Sequence, residues 1–229
     1  ATDASQNGPY TITVTADDGN GGTISDSFDW TVSNQDPVAQ ADSDATDENV
    51  TITRDAANGV LANDQDTGPD ADPLIVSQVE GDAGGVGNGV AGDAGGQFTL
   101  NEDGSYSFAP GADFDYLSAD ETVDTSITYQ ISDGQGGFDT ARLTVTVTGV
   151  NDAPTVDVAL DDVTSNDGET VSIPTSGAFA DADANDTLTY SAAGLPAGLS
   201  IDADTGLITG TLATDASQNG PYTITVTAD

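Results

Sequence analysis

Apolar and polar residues alternate along this chain in short runs, each closed by Gly, Asp, Asn or Pro. Tyr10, Ile12 and Val14 alternate with Thr, and Phe28, Trp30 and Val32 share one face of the run that follows. Ile127, Tyr129 and Ile131 are answered in the same way by Leu143, Val145 and Val147. A period of two puts every second side chain on one face of a strand, so these segments predict half-buried strands paired as hairpins. Another hairpin is predicted over Phe98–Phe108, turning on the Asn-Glu-Asp-Gly of 101–104, and a short strand over Leu188–Tyr190. No window carries a helical period. Short strands at this spacing predict an all-β chain of tandem antiparallel β-sandwiches.

The chain also repeats itself. ATDASQNGPYTITVTAD at Ala1–Asp17 recurs unchanged at Ala213–Asp229, 212 positions later. That period is too long for a solenoid and suits two sandwich domains of about 100 residues each. An unchanged copy implies recent duplication within a tandem array. A looser similarity relates Tyr10–Pro37 to Ile127–Pro154: strand, Asp-Gly-x-Gly-Gly turn, strand, then an Asn/Asp/Pro linker. Glycine supplies the positive φ of such turns, and proline ends the strand. The two linkers divide the chain into the C-terminal hairpin of one domain (1–34), a full sandwich (35–152) and a sandwich lacking its last strand (153–229). The counterpart of that strand is Thr23–Ser33. A sandwich short of an edge strand exposes backbone donors and apolar core. The N-terminal hairpin of one molecule is therefore expected to complete the C-terminal domain of another by strand addition. Neighbouring repeats of the same chain are the other expected partners.

Charge narrows the function classes. Forty Asp and Glu face two basic residues, Arg54 and Arg142, with no His, for a net charge of −38. Nucleic-acid phosphates and anionic membrane surfaces both call for Lys and Arg, so neither is an expected partner. Serine-histidine-aspartate chemistry has no base to run on. Cys and Met are absent, which removes disulfides and thiolate metal sites. No apolar stretch approaches the roughly 20 residues of a membrane span, so membrane insertion is not expected. The N-terminus lacks a basic, signal-like region and reads as internal to a longer protein. The acids stand at the ends of the alternating runs, where loops fall, and their self-repulsion calls for salt or bound cations.

Family resemblance adds to this. Gly194–Gly210 (GLPAGLSIDADTGLITG) with Tyr222–Asp229 carries the Leu-Pro-x-Gly-Leu, Thr-Gly-x-Ile-x-Gly and Tyr-Thr-Ile-Thr-Val-Thr-Ala-Asp elements. These resemble the Ig-like, dystroglycan-type cadherin-like domain of bacteria. Residues 35–152 resemble the VCBS or bacterial cadherin-like repeat through DENVTI (47–52), GVLAND (59–64), PDADPL (69–74), NEDGSYSFAP (101–110) and ISDGQGG (131–137). The resemblance implies Ig-like/cadherin-like sandwiches acting as non-enzymatic extenders in giant, secreted RTX-type adhesins at the bacterial cell surface. There they hold a ligand-binding tip away from the cell in adhesion and biofilm formation. Thr67–Gly68 and the glycine-rich stretch 81–96 depart from the pattern.

The acids fall into candidate calcium sites, because this cation takes roughly six to eight oxygens, mainly carboxylate and carbonyl, from closely spaced turns. One set joins the linker residues Asn151 and Asp152 to Asp181, Asp183 and Asp186 of the loop DADAND, with Asp18 opening the turn of the equivalent domain. The other joins Asn34 and Asp36 to Asp66, Asp70 and Asp72 and to Asp133, with Asp64 and Glu48 as extras. Linker, loop and turn recurring in two domains favours calcium over solvated turn carboxylates, which Asp adopts for local hydrogen bonding. A salt-adapted acidic surface is the alternative. Other function classes in view are an adhesive carbohydrate- or protein-binding module and an accessory domain of a surface enzyme. Asp-Thr-Gly at 66–68 and 204–206 lacks the apolar flanks of a catalytic aspartate dyad. The single Trp argues against a sugar-stacking cleft. GGVGNGV (84–90) has no Lys for phosphate, and one copy cannot form a calcium-binding β-roll.

Overall fold

The computed structural model describes residues 8–66 and 72–229 as strands joined by turns and short 3-10 segments. Its contacts form two compact units. The first holds the chain up to Thr46, Val50–Ala112 and Val123–Val147; the second holds Asp47–Asn49, Asp113–Thr122 and Thr148–Asp229.

The first unit opens with a hairpin of β1 (Tyr10–Asp17) and β2 (Thr23–Trp30). Its register sets Tyr10 against Trp30, Ile12 against Phe28 and Ala16 against Ile24, so the apolar positions of both strands share a face. That face is uncovered, with Phe28 53% and Trp30 61% exposed. A two-stranded ribbon has no second layer against which to bury it.

Eight strands follow: β3 (Asp42–Asp47), β4 (Ile52–Arg54), β5 (Ile75–Val79), β6 (Gly89–Ala91), β7 (Gln97–Leu100), β8 (Tyr106–Ala109), β9 (Thr122–Ser132) and β10 (Phe138–Thr148). They form two four-stranded sheets, β3-β10-β9-β5 and β4-β8-β7-β6, the layers of a sandwich in which β5–β9, β4–β8, β6–β7 and β7–β8 pair antiparallel. Every second residue goes inside: Ile127, Tyr129 and Ile131 on β9, Leu143, Val145 and Val147 on β10. The predicted 98–108 hairpin forms with Phe98 opposite Phe108, their ring centroids 4.5 Å apart. Both basic residues of the chain are committed here. Arg54 Nη2 meets Asp44 Oδ1 at 2.7 Å, while Tyr106 donates its hydroxyl to Asp44 Oδ2. Arg142 pairs with Asp93.

The second unit adds β11 (Thr155–Val156), β12 (Thr170–Pro174), β13 (Phe179–Ala180), β14 (Tyr190–Ala193), β15 (Leu199–Ile201), β16 (Leu207–Thr211) and β17 (Thr225–Ala228). They pair as β11-β13, β12-β16-β15 and β14-β17. Its core is thin. Val171, Ala178, Ile208 and Ala216 are buried, whereas Val156, Val158, Leu160 and Val163 stand exposed. Among the described residues no helix is long and apolar enough to cross a membrane.

Candidate metal site

Within the second unit, two carboxylates grip the linker after β10. Glu48, in the turn after β3, takes the Val150 N–H on Oε1 at 2.8 Å. Two residues on, the Asp152 N–H reaches Asp183 Oδ2 at 2.9 Å. Each acid therefore spends one oxygen on the backbone. The other oxygens, Glu48 Oε2 and Asp183 Oδ1, are buried without a hydrogen-bond partner, in residues only 1% and 2% exposed. Burial pushes the Glu48 carboxyl above the usual range; the Val150 N–H pulls it back, and the charges of Asp152, Asp183 and Asp115 push it further up.

The DADAND loop curls on itself to present these groups. Asp181 Oδ1 accepts the Asp183 N–H at 3.1 Å, and the Asp183 carbonyl accepts the Asp186 N–H at 3.2 Å. Ala184 donates to the Tyr116 carbonyl, and Asn185 Nδ2 donates to Glu121 Oε1 at 2.8 Å, tying the loop to the 113–122 segment. Beside it lies an acidic cleft of about 380 Å³ lined by Asn151, Asp152, Asp181, Asn185, Asp186 and Asp229. The expected set of Asn151, Asp152, Asp181, Asp183 and Asp186 thus shares one neighbourhood. Glu48 belongs to this neighbourhood and not with the acids of the 64–72 loop. Asp115 and Asp229 were missed. The spacing Asp113-Phe-Asp115 repeats the Asp-x-Asp of the 181–183 loop and was the available signal.

Unpartnered buried carboxylate oxygens among like charges, with both arginines engaged elsewhere, suit a hard divalent cation. Among the described residues no group of three or more Asp or Glu is placed to hold a metal ion.

The other expected set is more dispersed. Asn34 Nδ2 donates to Asp133 Oδ2 at 2.6 Å, whose Oδ1 takes the N–H groups of Gln135 and Gly137. Burial raises the Asp133 carboxyl, and these three donors more than reverse it. Asp18 caps the hairpin turn in the same way, through Asn20 and Gly22, but is exposed. Asp66 Oδ2 accepts the Asp72 N–H at 2.6 Å; Asp36 is exposed; Asp70 lies outside the described residues. Asp64 is turned elsewhere, because the Gln40 N–H holds it at 2.7 Å on the side of Asp42, Asp139 and Tyr129.

Antiparallel sandwiches with carboxylates gathered on a linker are the architecture of structural, adhesion-type β-modules. Residues 34–149 match the bacterial cadherin-like domain, and residues 153–229 match the family described as Putative Ig domain. The first match covers half the chain, and the chain belongs to the bacterial cadherin-like family. Among solved structures it is similar to mouse cadherin-23 EC22-24, at 19% identity over 95% of this chain and 68% of that one, TM-score 0.46. It is also similar to protocadherin gamma B2 domains 1-5 (16% identity, 96% and 44% covered, TM-score 0.48). A third is Drosophila N-cadherin EC1-4 (15% identity, 99% and 56% covered, TM-score 0.32). The chain spans about half the length of these last two. No curated protein matches it.

Proposed function

We propose that this chain is a calcium-stiffened extender segment of a secreted bacterial surface adhesin, spacing a ligand-binding tip from the cell in adhesion and biofilm formation. The observation that carries the reading is the pair of buried, half-satisfied carboxylates, Glu48 and Asp183, on either side of the 150–152 linker. Glu48, Asp115, Asp152 and Asp183 would hold the ion, with Asn151, Asp181 and Asp186 alongside. Bound calcium supplies positive charge and a cross-link between segments that otherwise repel. The linker would then lose the hinge freedom that domain junctions have by default.

Thermal unfolding and small-angle scattering, in calcium and in chelator, test this. Free calcium at 100 times its Kd adds about 2.7 kcal/mol by linkage. At roughly 2–4 °C per kcal/mol for a chain of this size, the melting temperature should rise by about 5–10 °C. Glu48→Gln keeps the Oε1 acceptor for Val150 and removes a buried charge. In chelator it should melt no lower than the parent, yet gain far less from calcium. Identical melting and identical scattering with calcium and chelator would overturn the proposal.

A further inference from the structure

β3 is an edge of the β3-β10-β9-β5 sheet, and its inward positions are Asp42, Asp44 and Thr46. Burial alternates along it as along its neighbours, but every residue it turns inward is polar. From Val38 to Thr51 the chain gives no apolar side chain to the buried core, whose first member is Ile52. The neighbouring strands differ: Ile127, Tyr129 and Ile131 of β9 and Leu143, Val145 and Val147 of β10 are at most 1% exposed.

Polar contacts fasten the stretch instead. Val38 and Gln65 exchange backbone bonds at 2.7 and 3.0 Å. The Ala39 N–H goes to Asp139 Oδ2 at 2.8 Å, and the Gln40 N–H to Asp64 Oδ1 at 2.7 Å. Tyr129 on β9 donates its hydroxyl to Asp42 Oδ2 at 2.7 Å, with the Gln40 carbonyl 3.0 Å away. In the other sheet, Tyr106 of β8 and Arg54 of β4 hold the two oxygens of Asp44. Thr46 donates its hydroxyl to the Val50 carbonyl at 2.7 Å.

We propose that residues 38–46 are a releasable strap, which undocks from the first unit as a local event while the apolar core of the sandwich stays closed. The strap returns no buried apolar side chain of its own to water, so it is not held by the force that holds β9 and β10. Its carboxylates and amides exchange protein partners for water when it leaves, and the net worth of each such bond is modest once hydration is counted. Freeing β9 or β10 would open the whole apolar layer. Strap and core are thus stabilised by different chemistry, and local opening follows the weaker of the two.

Site-resolved hydrogen exchange on the 229-residue protein, in chelator so that no bound ion contributes, tests this. The bonded amides of Val38, Ala39 and Gln40 should exchange through an opening of lower free energy than the amides of β9 and β10. Two variants separate local from global opening. Tyr106→Phe keeps the ring and removes one donor to Asp44; it should speed exchange of the strap about tenfold. Ile131→Val trims the core at a residue that fastens nothing in the strap. It should speed exchange in β9 and β10 several-fold and leave the strap's rate as it was. The proposal fails if the three strap amides exchange as slowly as β9 and β10, if Tyr106→Phe leaves their rate unchanged, or if Ile131→Val speeds strap and core alike.

Discussion

Asp64 shows how far a residue's setting can depart from its place in the sequence. Among the expected calcium ligands it looked like one more loop acid, yet residues distant along the chain determine its chemistry. Burial pushes its carboxyl up to about 6; the Gln40 N–H opposes this, and the charges of Asp42 and Asp139 add to it. An acid whose folded value lies above its unfolded value holds its proton more tightly when folded. Its contribution to stability is complete below the unfolded value near 3.8 and is lost as pH rises through about 6. In chelator and at fixed ionic strength, the melting temperature should therefore rise on acidifying from about pH 7.5 to about pH 5. Asp64→Asn mimics the protonated carboxyl and keeps an acceptor for Gln40. It should raise the melting temperature at neutral pH and flatten the slope between the two values; an unchanged slope would remove Asp64 as its source. Asp44, Asp93 and Asp133, whose carboxyls are all held low, act in the opposite sense only in more acidic solution. Spacing alone showed a carboxylate on a turn, and could not show that Gln40 and Tyr129 would close around it.

At the level of elements, the alternating runs were legible because burial on one face of a strand leaves a period of two in the sequence. β1 and β7 to β10 fall where alternation places them, and β2 stops at Trp30, short of the expected Val32. In the second unit the strands are two to five residues long, too short to print a period. β14 there begins at Tyr190, at the end of the run expected over 188–190; before it, Thr189 and Asp229 still exchange backbone bonds at 2.8 and 2.9 Å. The Asp-Gly-x-Gly-Gly turns were also legible, as a motif present twice. Both fold alike, with one aspartate oxygen taking the N–H groups two and four residues on. Turn closure is thus a sufficient reason for Asp133, whatever else it binds. Asp133→Ala would leave the buried Gly137 N–H, the part-buried Gln135 N–H and the Asn34 amide without their acceptor, a loss of about 1–3 kcal/mol for unsatisfied buried donors. The expected drop in melting temperature is equal with calcium and with chelator. A drop confined to calcium would make Asp133 a ligand in place of a turn cap.

For the whole molecule, the net charge of −38 was plain from composition, and the division of that charge between surface and interior was not. Most of these acids are solvated, and the two arginines are already paired with Asp44 and Asp93, so stability at low salt is eroded by unscreened repulsion. Monovalent salt relieves that repulsion once the screening length falls to about 10 Å near 0.1 M. It relieves the Glu48–Asp183 neighbourhood much less, because buried charges are screened weakly. Two responses should therefore separate. Sodium chloride should raise the melting temperature along a smooth curve that flattens when the exposed charges are screened. Millimolar calcium, added on that plateau at constant ionic strength, should raise it again. If the second rise vanishes at high salt, calcium acts only as a counter-ion, and the acidic surface is an adaptation to saline surroundings. If it persists, the ion is held by direct coordination, and its loss in Glu48→Gln would assign that coordination to the linker, where Glu48 and Asp183 are buried.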